Sequence, residues 1–120
     1  MKILLLEDHE PSRTALVHLL KRRNYEVYPA GSIAEARAIV SAQKIDLLMS
    51  DLGLPDGDGN DFMAELEANR GLSGIALTGY GMEEDIQRSL AAGFMSHLIK
   101  PVLANDLENA LRAFTSNQAG

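Results

Sequence analysis

Ile45-Asp46-Leu47-Leu48-Met49-Ser50-Asp51-Leu52-Gly53-Leu54-Pro55-Asp56-Gly57-Asp58-Gly59 is the stretch on which the fold turns. An apolar run of strand length, Asp46 to Ser50, stops abruptly at a carboxylate and gives way to a turn rich in Gly, Pro and Asp. Outward from it, runs of the same kind stand at Lys2 to Leu6, Tyr25 to Tyr28, Gly74 to Leu77 and Ser96 to Ile99. Each is followed by a longer segment with helical spacing, so the chain reads as strand-then-helix repeated along its whole length.

That alternation predicts an α/β fold with a parallel sheet, because parallel neighbours need a crossover and a helix supplies it on a covered face. The expected architecture is a doubly wound, flavodoxin-like five-stranded parallel sheet of order 2-1-3-4-5 with five helices. In the first helix Leu16, Leu19 and Leu20 share a face, Arg13, Lys21 and Arg22 reach solvent, and Pro11 suits the first turn. Ser32 followed three residues later by Glu35 is a capping box that opens a helix running to about Ala42. Asp58 or Asn60 can cap a third helix carrying Phe62, Met63 and Leu66, with Gly71 as its stop. A fourth spans Met82 to Ala92, acidic at its start and ended by Gly93, and a fifth spans Ala104 to Phe114. The small polar tail, Thr115 to Gly120, is expected to fray, leaving an ordered core of about residues 2–114 within one domain, 1–120.

A chain of 120 residues is the size of one domain with one aliphatic core. Its net charge of -6 argues against a phosphate-backbone binder, which needs clustered Lys and Arg to displace counterions, so no direct nucleic-acid binding is expected. The absence of cysteine excludes disulfides, thiolate metal sites and thiol nucleophiles. No apolar run approaches the roughly 20 residues of a membrane span, so no membrane insertion is expected.

Ligands of an open parallel sheet gather beyond the carboxyl ends of its strands. Those positions are Glu7 and Asp8 after the first run, Asp51 after the third, Thr78 after the fourth and Lys100 after the fifth. In the expected order, three carboxylates, a hydroxyl and an ammonium meet at one edge. Crowded carboxylates repel unless a cation joins them, and hard oxygen donors without His or Cys select magnesium, or manganese. Magnesium bound by few carboxylates keeps room for phosphate oxygens, to which Lys100 offers a charge and Thr78 a donor. A carboxylate beside such an ion can also act as a nucleophile.

On these residues the chain resembles the receiver domain of two-component response regulators, from Lys2 to about Phe114. The resemblance lies in Glu7-Asp8, Asp51-Leu52-Gly53-Leu54-Pro55-Asp56-Gly57-Asp58-Gly59, Leu77-Thr78-Gly79 and Lys100-Pro101. It implies that Asp51 is the phosphoacceptor and that Asp8, Asp51 and the backbone carbonyl of Gly53 hold magnesium, with Glu7 helping directly or through a water. It implies that Thr78 and Lys100 bind the phosphoryl group and report it, and that the bond before Pro101 is cis. Such a domain is no classical enzyme, but it catalyses its own magnesium-dependent phosphorylation and dephosphorylation. Its implied partner is a histidine kinase or a histidine phosphotransfer domain, in the cytoplasm, with weak homodimerisation also expected.

Three residues depart from the family pattern. Gly79 stands where Ala is usual, His97 where a Tyr or Phe switch ring is usual, and Leu103 where a capping Asp, Ser or Asn is usual. Thr78-Gly79-Tyr80-Gly81 with His97-Leu98-Ile99-Lys100-Pro101 is most similar to receivers attached to hybrid sensor histidine kinases, which implies a larger, membrane-tethered parent protein. Tyr80 is placed at the rim of the site. Asp56 and Asp58 read as turn or cap residues, and His9 and His18 as surface histidines. The competing functions are an interaction module that is never phosphorylated, a flavodoxin-like cofactor binder, and an aspartyl phosphohydrolase. The second lacks a phosphate-cradling loop after the first strand, where Glu7-Asp8-His9-Glu10 repels anions. The third wants a second acid where Gly53 stands.

Overall fold

The computed structural model describes residues 1–79 and 83–119, with side chains through residue 116. In chain order the elements are β1 (Lys2–Leu6), α1 (Glu10–Lys21), β2 (Glu26–Ala30), α2 (Ile33–Ala42), β3 (Leu47–Asp51), β4 (Gly53–Leu54) and β5 (Gly57–Asp58). They continue with α3 (Gly59–Arg70), β6 (Ser73–Thr78), α4 (Glu83–Ala92), β7 (Phe94–Ile99) and α5 (Ala104–Ala119). The main sheet is parallel with order β2-β1-β3-β6-β7, while β4 and β5 form a separate two-residue antiparallel ribbon. With the ribbon set aside this is the 2-1-3-4-5 order read from the strand–helix alternation.

Alternation along the strands divides the core in two. Leu4, Leu6, Leu48 and Ala76 face α2 and α3 and pack on Ile33, Ala36, Val40, Phe62, Met63 and Leu66. Ile3, Leu5, Leu47, Met49, Ile75 and Leu77 face the other way, onto Leu16 and Leu20 of α1 and Leu107, Leu111 and Phe114 of α5. Because β1, β3 and β6 are buried on both faces, they read as continuous apolar runs. α4 packs against β7 and α3 at the edge of the sheet.

The helix ends follow from capping chemistry. Ser32 Oγ accepts the amide of Glu35, while both Asp56 oxygens, reaching over from the turn between β4 and β5, accept the amides of Ile33 and Ala34. Three free donors of the first turn of α2 are thereby satisfied. Those amides hold the Asp56 carboxyl below its ordinary range. Asp58, rather than Asn60, caps α3 by accepting the Asn60 amide, and Gly71 ends α3 in the left-handed region at φ 65°. His9, read as a plain surface residue, caps α1 through its Nδ1. Exposed Leu103 precedes α5 and offers the backbone only its carbonyl, which accepts the Leu107 amide.

Two boundaries correct the sequence-based expectation. β2 starts one residue later than expected and ends two later, including Pro29, which an edge strand tolerates because one row of its amides faces no neighbour. α5 extends past Phe114 to Ala119, since no Gly or Pro interrupts it and the Thr115 hydroxyl donates back to the Arg112 carbonyl. The fourth helix is described from Glu83, and Met82 lies outside the described residues.

Candidate functional site

All five chemistry-bearing positions come to one end of the sheet. β1 delivers Glu7 and Asp8, β3 ends on Asp51, β6 ends on Thr78, and Lys100 follows β7. Register enforces the meeting: Leu6 pairs with Ser50, Asp51 with Leu77, and Thr78 with Ile99. The crossover helices therefore bring together residues up to 93 positions apart.

At the centre, Lys100 Nζ lies 2.7 Å from Asp51 Oδ2 and 2.9 and 3.1 Å from the two Glu7 oxygens. Glu7 is fully buried, Asp51 is partly buried, and Asp8 is exposed at the mouth. One carboxylate oxygen from each of the three acids lies within 4.8 Å of the others. Three carboxylates against one ammonium leave two negative charges uncompensated, which suits one divalent cation, and the oxygen-only donor set suits magnesium or manganese. Gly53 sits exposed in β4, two residues beyond Asp51.

Burial pushes the Glu7 carboxyl from 4.5 up to about 7; the Lys100 hydrogen bond pulls it down and the neighbouring Asp51 carboxylate adds to the rise. For Lys100, burial works against the ammonium, but hydrogen bonds to Asp51 and Glu7 outweigh it and hold the group above its ordinary range. A carboxyl whose folded value is raised stabilises the fold below its unfolded value and loses that contribution as pH climbs through the folded one. Without divalent cations, stability against urea should therefore fall between pH 4.5 and about 7 through Glu7. Glu7→Gln should flatten that slope, and an identical slope in the variant would contradict the assignment.

The backbone around Asp51 is held tightly. Asp51 Oδ1 accepts the Leu52 amide at 2.8 Å, the Ser50 hydroxyl donates to the Asp51 carbonyl at 2.7 Å, and the Gly59 amide donates to the Leu52 carbonyl at 2.8 Å. A Cβ on Gly59 would come within 2.2 Å of the Asp51 carbonyl oxygen, so only glycine lets α3 start this close to the acid.

Thr78 is almost fully buried, and its carbonyl accepts the Lys100 amide at 2.8 Å. The Lys100–Pro101 peptide is cis. A Cβ on Gly79 would meet nothing within 4 Å, so sterics do not require glycine there. His97 is half-buried on β7 opposite Ala76. Tyr80, assigned to the rim, lies outside the described residues. Two roles escaped the sequence: Asp56, read as a turn or cap residue, ties the turn after Asp51 to α2, and Arg13, expected to reach solvent, instead sets its guanidinium on the carbonyls of Glu7 and Asp8. Neither partner has a local signature, because Asp56 bonds amides on another element and Arg13 reaches out of its helix to loop carbonyls.

The response regulator receiver domain family matches residues 3–112. The transcriptional regulatory protein PdtaR of Mycobacterium tuberculosis is 30% identical over 116 residues, 96% of this chain and 57% of its own length, so the chain spans little more than half of that relative. A two-component response regulator from Clostridium difficile superposes with a TM-score of 0.94 at 22% identity, covering 100% of this chain and 99% of that one. A CheY-like response regulator receiver domain protein from Methanospirillum hungatei JF-1 superposes with a TM-score of 0.90 at 28% identity, covering 98% and 95%. With its parallel sheet, its acidic end and this match over nearly the whole chain, the protein belongs to the response regulator receiver domain family.

Proposed function

We propose that this chain, as a single receiver domain over residues 1–120, accepts a phosphoryl group from a phosphohistidine onto Asp51 and passes its arrival to a protein partner. The observation that carries this reading is the contact of Lys100 with Asp51 and buried Glu7 beside exposed Asp8, a set charged to take one divalent ion and a phosphoryl group. Asp8, Asp51 and the Gly53 carbonyl hold magnesium or manganese, with Glu7 aiding directly or through a water; the ion, when bound, neutralises charge on phosphoryl oxygens. An Asp51 oxygen forms the new bond to phosphorus as the bond from phosphorus to the histidine nitrogen breaks, and the imidazole departs with its electron pair. Lys100 needs only to exchange carboxylate oxygens for phosphoryl oxygens.

Thr78 offers its hydroxyl to the same group. His97 pairs with Ala76, so His97 and Thr78 lie on one face of the sheet as diagonal neighbours. That supports His97 as the ring that moves when Thr78 is drawn inward. The exposed Leu90, Ile99 and Leu103, near the β7 edge, support a protein partner or a weak homodimer as the receiver of the signal. The donor is a histidine kinase or histidine phosphotransfer domain, and the motifs around Thr78 and Lys100 favour a hybrid kinase as parent. The domain's place is the cytoplasm, with any membrane tether belonging to the parent protein. Nucleic acid is not its ligand, given a net charge of -6.

Incubated with a small phosphodonor and magnesium, the protein should gain one phosphoryl group by intact mass, and a chelator should suppress it. Equal labelling without a divalent ion, or none with any donor, would overturn the reading.

A further inference from the structure

Besides Lys100, which bonds the Glu7 side chain, Arg13 is the basic side chain that, among the described residues, bonds the loop between β1 and α1, and the proposed chemistry does not use it. Its Nη1 donates to the Glu7 carbonyl at 2.8 Å and approaches the Asp8 carbonyl at 3.5 Å. It sits in the second turn of α1, and helical side chains lean toward the N-terminus, so the guanidinium lies back over the loop. Gly31, after β2, makes room for it: a Cβ there would stand 3.1 Å from Nη1. The same loop is held at both flanks, by the Glu7 amide donating to Ala30 and by His9 capping α1. Asp8 thus has an exposed carboxylate on a backbone that is pinned on every side.

We propose that Arg13 is a positioning residue for the cation site, clamping the Glu7–Asp8 peptide so that the Asp8 carboxylate is aimed before any ion arrives. The inference rests on the proposed function, since it presumes that the three acids take a divalent cation. One physical effect serves it. Fixing the Glu7 carbonyl fixes the plane of the peptide into Asp8 and hence the direction of its Cβ, which spares the ion the entropy of ordering the loop. The guanidinium does this by bonding carbonyls, so it consumes no carboxylate oxygen. A bare helix-to-loop tie would contribute to stability and leave cation affinity alone.

The test is titration of the wild type and variants with Mn2+, reading free ion by paramagnetic resonance, alongside thermal melts and amide exchange of the metal-free proteins. Arg13→Ala should weaken Mn2+ binding about tenfold, the low end of what loss of an outer partner of a metal ligand costs, and quicken exchange at the amides of Asp8 and His9. The loss from Asp8→Asn should shrink in the Arg13→Ala background, because a misaimed carboxylate has less to lose. Arg13→Lys, keeping charge and one donor, should recover part of the affinity. Should Arg13→Ala unfold, Arg13→Gln carries the same comparison. An Arg13 variant that melts lower yet binds Mn2+ as the wild type does would overturn the clamp while leaving the phosphoacceptor reading intact. So would an Asp8→Asn loss of equal size in both backgrounds. A wild type that binds no Mn2+ would sink the cation site itself, and the clamp with it.

Discussion

Asp51→Asn should remain unphosphorylated under conditions that label the wild type fully, a drop of at least a hundredfold in labelling rate measured by intact mass. The amide oxygen carries no full charge and is a poor nucleophile, and the variant also removes one of three carboxylates that make divalent binding favourable. The substitution is nearly isosteric. The remaining oxygen can still accept the Leu52 amide, so the tight backbone around Gly59 should persist and circular dichroism should match the wild type. Equal gain of one phosphoryl group in both proteins would move the acceptor elsewhere.

Lys100→Ala should give the second largest effect, and its signature is dependence on pH. Glu7 is fully buried and its charge is matched by the Lys100 ammonium at 2.9 Å. Breaking such a pair from one side strands a charge, at a cost of roughly 3 kcal/mol, the low end of the usual range because Lys100 is about a quarter exposed. Below pH 4.5 Glu7 is neutral in both folded and unfolded chains and little of that penalty applies. Above about 7 the wild-type carboxylate is ionised, so the full loss appears; it is bounded by the work of protonating Glu7 in the variant. In chelator, the melting temperature of Lys100→Ala should therefore sit nearer to wild type at pH 5 than at pH 8. Magnesium should raise it more than it raises the wild type, because the cation supplies the missing positive charge. A deficit that is the same at both pH values would show that Lys100 acts on stability through Asp51 or packing and not through Glu7. If magnesium still binds while a phosphorylated variant no longer changes partner affinity, Lys100 serves the switch as well.

Much of the fold was legible because it rests on period and polarity. The runs ending at Leu6, Met49 and Leu77 are apolar where the sheet buries them from both sides, and their recurrence between helical segments points to a covered parallel sheet. Ser32 and Gly71 marked helix ends through chemistry confined to a few neighbouring residues. Boundaries that depend on what lies alongside were less visible. Pro29 belongs to β2 only because that strand is at the sheet edge, and α5 persists beyond Phe114 only because nothing local stops it.

The site divides the same way. Strand ends named Glu7, Asp8, Asp51, Thr78 and Lys100, since a charged residue directly after a buried run must face the edge where strands stop. Which of these touch was beyond reach of spacing. Glu7 stood as an aid to the metal, and folding makes it the most buried acid of the set, held by both oxygens to a lysine 93 residues away. Asp56 was legible as a turn or cap residue but not as a cap of α2, and Arg13 gave no sign of binding loop carbonyls, for both bind backbone atoms outside their own element.

The order of polar and apolar residues along the chain was enough, by itself, to set the parallel α/β sheet and the end of it that bears the acids, because burial of a strand and exposure of its terminus are local consequences of composition. Folding alone decided the pairing of Lys100 with Glu7 and Asp51, the depth of Glu7 and the clamp on Asp8. Those depend on distances of a few ångströms between groups that meet only in the fold, where hydrogen bonding and desolvation change steeply and sequence spacing says nothing.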